Sequence, residues 1–142
     1  MTTDVKTPKP KQRTFLPEKV DITGWNVLEP FFEDLKNRQI NSVKELEKWM
    51  QDRNELDAFL SEDLAWRYIR MNIDTTDKKL SESYEFFMNE IHPKAMPYSN
   101  DFDKKLVSSP FLEKLDKKKY RIYLRGVRKR MEIFREENVP LL

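Results

Sequence analysis

The chain carries a single histidine, His92, and no cysteine. Zinc peptidase chemistry needs two imidazoles one helical turn apart, with a glutamate beside them to activate the bound water. The neighbours Glu90 and Pro93 supply neither that spacing nor a second imidazole. Thiol nucleophiles and thiolate zinc sites are excluded outright, and a Ser-His-Asp triad could be built only on His92 itself. His92 therefore reads as a helix-end or surface residue. The many Asp/Glu pairs read as solvated faces of a highly charged chain. The sequence offers no catalytic, cofactor-binding or metal-ligating residue, and no cofactor for this segment itself.

Binding chemistry has one candidate tract. From Lys104 to Arg130 there are eleven Lys/Arg and only Glu113 and Asp116 against them, with Tyr120 and Tyr123 interleaved. Such a pattern occurs in nucleic-acid binders. Glu29 to Asp63, however, holds ten acidic residues and five basic ones, so the two tracts can face each other instead, within the chain or across to another domain. Gly24 and Gly126 stand alone, which leaves no glycine loop to cradle a phosphate. Trp25, Trp49 and Trp66 read as core or inter-helix packing.

These residues must be positioned by helices. Apolar residues make up 38% and charged residues 37%, so a core is possible under a heavily charged surface. Two glycines are too few for a turn-rich β protein. The fold class is therefore all-α, an antiparallel bundle of about five helices. A net charge of +2 implies neither nucleic acid nor membrane by itself. No segment is apolar enough for a signal peptide or a bilayer span, and a cysteine-free chain suits the cytoplasm.

Residues 1–14, with Pro8 and Pro10 among Lys6, Lys9, Lys11 and Arg13, read as a disordered arm, and 15–142 as one helical domain. Phe15, Leu16, Val20 and Ile22 form an extended lead-in. Asp21 or Thr23 caps a first helix to about Arg38, with Pro30 in its early turns. Ser42 and Glu45 form a capping box for a second helix. It runs through Leu46, Trp49, Met50, Leu56, Phe59 and Leu60, pauses near Ser61, and continues to about Ile73, with Asp63 and Arg67 paired one turn apart. Asp74 to Asp77 is a turn. A third helix carries Leu80, Tyr84, Phe87, Met88, Ile91 and Ala95 until Pro93 and Pro97 kink or end it. Phe102 and Leu106 continue to Val107. Pro110 opens a further helix. The last helix carries Tyr120, Leu124, Val127, Met131 and Phe134 as a heptad seam, with Gly126 beside it to allow close helix contact. Leu141 and Leu142 read as the mark of a chain meant to continue.

Several of these pieces recur in a known order. Thr14-Phe15-Leu16-Pro17, Asp21-Ile22-Thr23 with Trp25, and Ile40-Asn41-Ser42-Val43 with Glu45-Leu46-Glu47-Lys48-Trp49 come first. Leu60-Ser61-Glu62-Asp63-Leu64-Ala65-Trp66-Arg67-Tyr68-Ile69-Arg70-Met71, then Asp74-Thr75, Glu90-Ile91 and Pro93-Lys94 follow. Pro97-Tyr98-Ser99-Asn100, Lys105-Leu106, Ser109-Pro110-Phe111-Leu112, Ile133-Phe134-Arg135-Glu136-Glu137-Asn138 and Pro140-Leu141 complete the series. Over about residues 14–142 the chain resembles the N-terminal region of the oligoendopeptidase F family, the thimet-oligopeptidase-like zinc metallopeptidases.

The resemblance implies a cytosolic, largely helical metalloendopeptidase that cleaves short peptides inside a deep channel. Its HExxH motif, third glutamate ligand and transition-state-stabilising His and Tyr residues lie in a later half that this chain does not contain. Zinc is thus implied for the full-length protein only. The partner implied is the catalytic domain, with short peptides as substrates of the whole enzyme and this segment as wall, lid or hinge. An independent helical protein-interaction module is the second reading. Nucleic-acid binding through residues 104–130 is the third and weakest, and no membrane partner is expected.

Overall fold

A computed structural model describes residues 13–138, with side chains through Ile133. The expectations for the arm up to residue 12, for the Phe134 side chain and for the terminal Leu141-Leu142 lie outside the described residues or side chains. Five α-helices follow in order: α1 (Trp25–Asn37), α2 (Val43–Ile73), α3 (Lys78–Phe86), α4 (His92–Val107) and α5 (Arg121–Asn138). A π-turn at Phe87–Ile91 joins α3 to α4 into one rod. The fold is all-α, with no strand among the described residues.

The lead-in takes in Arg13 and Thr14, which the sequence assigns to the arm. The backbone N–H groups of Thr14, Phe15 and Leu16 all donate to the Glu55 carboxylate on α2. Arg13 lies over the Phe59 ring and Arg38 over the Phe15 ring. This strap buries Leu16 and Ile22 against the helices. Partial burial alone would raise the Glu55 carboxyl, but the three N–H donors outweigh it and hold it below the ordinary glutamate range. A carboxyl depressed by folding contributes stability that is present above its unfolded value and lost as pH falls through the folded one. Glu55→Gln is therefore expected to cost about 1–2 kcal/mol at neutral pH. In melts stepped from pH 6 to pH 3 the gap between Glu55→Gln and wild type should close. A gap that persists in acid would mean the carboxylate charge is not the anchor.

Neither Asp21 nor Thr23 caps α1. The position before Trp25 is Gly24, in extended backbone without a side-chain cap. Pro30 lies inside α1, which continues through it. The far end of α1 is closed by other elements. Trp49 Nε1 donates to the Leu35 carbonyl at 2.8 Å, and Lys105 Nζ donates to the carbonyls of Lys36 and Arg38 at 3.0 and 2.6 Å.

Ser42 caps α2 as expected. Its Oγ accepts from Glu45 N at 3.1 Å, and Glu45 Oε1 accepts in return from Asn41 N at 3.2 Å. There is no pause at Ser61, since α2 runs unbroken from Val43 to Ile73. Phe59, Leu60 and Leu64 keep the apolar period through that point, and no Gly or Pro interrupts it. The Asp63–Arg67 pair is present at 2.7 Å. Arg67 also reaches the carbonyls of Ser83 and Ile22, so it ties three segments together.

Pro93 and Pro97 do not end the helix. Pro93 lacks the N–H that would serve the Asn89 carbonyl, and the π-turn lies over that position, with His92 N–H reaching back to Phe87 O. The register slips there and the rod proceeds to Val107. Pro110 opens only a turn and a short 3₁₀ segment, Leu112–Lys114, not a helix. Asp116 then accepts from the N–H groups of Lys118 and Lys119, and α5 starts beyond it.

The core gathers Leu28, Phe32 and Leu35 of α1, Leu46, Trp49, Met50 and Leu56 of α2, Phe87 and Ile91, Phe102 and Leu106 of α4, and Leu124 and Val127 of α5. The contacts Arg53–Ser99 and Arg67–Ser83 pair α2 with the α3–α4 rod in opposite directions.

Candidate functional site

Among the sixteen core hydrophobes lie three buried charges: Asp52, Arg53 and Asp103. Arg53 occupies the apolar stripe of α2, one turn from Trp49 and Met50 and one turn from Leu56, so the helix carries its guanidinium inward. Its Nη1 stands 2.7 Å from Asp103 Oδ1, its Nε 3.4 Å from Asp57, and its plane lies near the Phe102 and Trp49 rings. Arg130 of α5 grips the same Asp103 with Nε and Nη2, both at 3.1 Å. Hydrogen bonding to Asp103, only partly offset by burial, raises the Arg130 guanidinium. Asp52 is served separately by Arg38 at 2.7 Å and Lys48 at 2.9 Å. Buried charge is tolerated here because each ion has a close opposite partner.

The Arg53 cluster floors a cleft of about 480 Å³ between α2, α4 and α5. Asn54, Asp57, Leu60 and Ser61 line it from α2, His92, Met96 and Ser99 from the rod, and Ile122, Tyr123, Gly126 and Arg130 from α5. Desolvation pushes the Asp57 carboxyl upward, against the nearby guanidiniums of Arg53 and Arg130 and with the Asp103 charge. Desolvation likewise lifts the Tyr123 phenol, whose buried hydroxyl has no hydrogen-bond partner among the described residues.

His92, the one imidazole, sits at the start of α4, half-buried, on the wall of this cleft. It makes no side-chain hydrogen bond to the serines or carboxylates around it, so no triad is assembled. Among the described residues no group of three or more His, Cys, Asp or Glu side chains is arranged to hold a metal ion. The described residues therefore do not fit a zinc site.

The three tryptophans separate. Trp49 is core and meets Phe102 edge-on at 5.9 Å. Trp25 packs with Phe32 and Tyr98 and donates to Glu29. Trp66 is 54% exposed. Of the interleaved tyrosines, Tyr120 is structural: its hydroxyl binds Glu47 at 2.6 Å, where burial first and that carboxylate next push it up to about 12. The opposing charge tracts meet at Glu47 with Lys119, while Arg121, Arg125, Arg128 and Lys129 face solvent. Gly126 does not mark a tight helix crossing. A Cβ there would meet only Arg130 Nη1 at 3.5 Å, so it opens the cleft wall.

The residues 15–134 match the family described as Peptidase M3 N-terminal domain. The chain belongs to that family. No curated protein and no solved structure matches it. An M3 peptidase N-terminal domain is one part of a larger peptidase with a catalytic domain. No helix of the M3 domain, among its described residues, is long and apolar enough to cross a membrane.

Proposed function

We propose that this chain is the front helical part of an oligoendopeptidase F-like zinc endopeptidase, cytoplasmic and acting on short peptides. It shapes the substrate channel and is not catalytic alone. The family match over residues 15–134 carries this reading, and the ordered motif series supports the narrower assignment to oligoendopeptidase F. The zinc and its ligands belong to the catalytic part.

One surface supports a missing neighbour. Trp66, Ile69 and Ile73 follow at three- and four-residue spacing along α2 and are 54%, 43% and 77% exposed. A contiguous apolar stripe facing water marks an interaction site. In this reading the catalytic domain covers it. The chain by itself is then expected to associate with rising concentration in sedimentation runs. Trp66→Ser combined with Ile73→Ser should abolish that association while changing stability by under about 0.5 kcal/mol per site. A monodisperse wild-type chain would favour the alternative, a self-sufficient helical interaction module. Catalysis is tested directly: metal-replete chain should not cleave a quenched-fluorescence peptide, and chelator-sensitive cleavage would overturn the assignment. Sequencing the source locus in frame beyond Leu142 should reveal HExxH and a downstream glutamate.

A further inference from the structure

We infer that the cleft between α2, α4 and α5 is a binding site for a basic peptide side chain, its cationic head between Asp57 and the Tyr123 hydroxyl and its methylene stem between Met96 and Ile122. The argument begins with an uneven distribution of charge. Asp103 is saturated, taking contacts from Arg53 Nη1, Arg130 Nε and Arg130 Nη2. Asp57 is not. Among the described residues its one ion-pair approach is Arg53 Nε at 3.4 Å, which does not form a hydrogen bond, and its side chain is 49% exposed beside the cleft. A carboxylate held at a cleft mouth with lone pairs to spare favours a donor that brings positive charge.

The remaining lining fits the rest of such a side chain. Tyr123 oxygen is buried without a partner among the described residues and can accept from the same head group. Met96 and Ile122, 49% and 87% exposed, are apolar lips at which three or four methylenes can lie, and Leu60 continues that surface inward. Gly126 leaves the α5 wall open where any other residue would project a side chain. An anion would meet the Asp57 carboxylate on the cleft wall. A bare divalent cation would lack the six or more oxygen ligands that calcium takes or the octahedral set that magnesium demands.

This site is independent of the peptidase reading, since every group belongs to this chain. The test uses the whole ¹⁵N-labelled chain and three capped tripeptides, acetyl-Ala-X-Ala-amide with lysine, norleucine or glutamate at X. The lysine peptide should shift the Tyr123 and Gly126 amides saturably, at least ~tenfold more tightly than norleucine, because charge-assisted hydrogen bonds contribute on the order of one tenfold step in affinity. Asp57→Asn should bring lysine down to the norleucine level. Gly126→Leu, placed where open space exists, should block both peptides with the amide spectrum otherwise retained. Glutamate binding equal to or tighter than lysine, an Asp57→Asn variant that binds lysine unchanged, or no saturable shift by tens of millimolar would each overturn the proposal.

Discussion

Asp103→Ala is expected to destabilise the chain by about 3–5 kcal/mol, among the largest effects of any polar substitution in it. Asp103 and Arg53 are both nearly inaccessible, and their 2.7 Å contact is the close charge pairing that Arg53 has. Removal of the carboxylate would leave a guanidinium in the core with Asp57 3.4 Å away, Ser99 at long hydrogen-bond range and aromatic rings for company. Arg130 would suffer less, because its side chain is half exposed and can turn to water. Arg130→Ala should therefore cost well under half as much. Replacing both ions together, Asp103→Leu with Arg53→Met, is expected to recover much of the loss, since buried pairs exchanged for apolar side chains of similar volume are often neutral. Urea titration of the three variants against wild type decides it. A loss of under about 1 kcal/mol for Asp103→Ala would mean that water reaches Arg53 and that the pair is not a core element.

That pair also marks the limit of what could be read from the sequence. The helices were legible because their signals are local: Ser42 with Glu45, Asp63 with Arg67, and Leu124, Val127 and Met131 along one face. Arg53 left a local sign as well, being a charge on the stripe that holds Leu46, Trp49, Met50 and Leu56. Its partner, Asp103, comes fifty residues later, and no spacing rule links the two. The misplaced breaks have a similar origin. Ser61-Glu62-Asp63 has the chemistry of a cap, but a cap forms only where the apolar period stops, and Leu60 and Leu64 carry it across. Pro93 could be expected to kink the rod. That the slip would be absorbed ahead of it by a π-turn depends on Phe87 and Ile91 both being drawn into the core.

Function was legible in a different way. No residue pattern in the chain specifies hydrolysis, and the ordered motif series pointed to the family that residues 15–134 match. The structure explains why so many of those motif residues are architectural. Ser42 and Glu45 start α2, Arg67 ties α2 to the lead-in and α3, Tyr98 binds Glu33 of α1 at 3.0 Å, and Lys105 closes α1. These are joints between helices. The exposed Trp66, in the middle of the longest motif, departs from that rule. It takes part in no joint within the described chain beyond the Arg70 guanidinium over its ring, and the proposed contact with a partner domain rests on that.

Trp49→Ala is expected to match the loss at Asp103, about 3–5 kcal/mol, by a different mechanism. Trp49 is fully buried, and its ring stands edge-on to Phe102 with the Arg53 guanidinium at 6.0 Å. Its deletion leaves a cavity where α1, α2 and α4 meet, and such cavities collapse only in part. It also removes the donor to Leu35 O, one of the last carbonyls of α1, which has no onward helical N–H to accept from. The two contributions can be separated. Trp49→Phe keeps most of the apolar volume but leaves the carbonyl unpaired, so it should cost roughly 1–3 kcal/mol, the usual penalty for one unsatisfied buried group. Amide exchange gives the decisive pattern. In Trp49→Phe the protection lost should concentrate at the C-terminal turn of α1, near Asn37 and Arg38, whereas Trp49→Ala should lose it across α1, α2 and α4 together. Uniform loss in both variants would show that the hydrogen bond adds nothing to the packing.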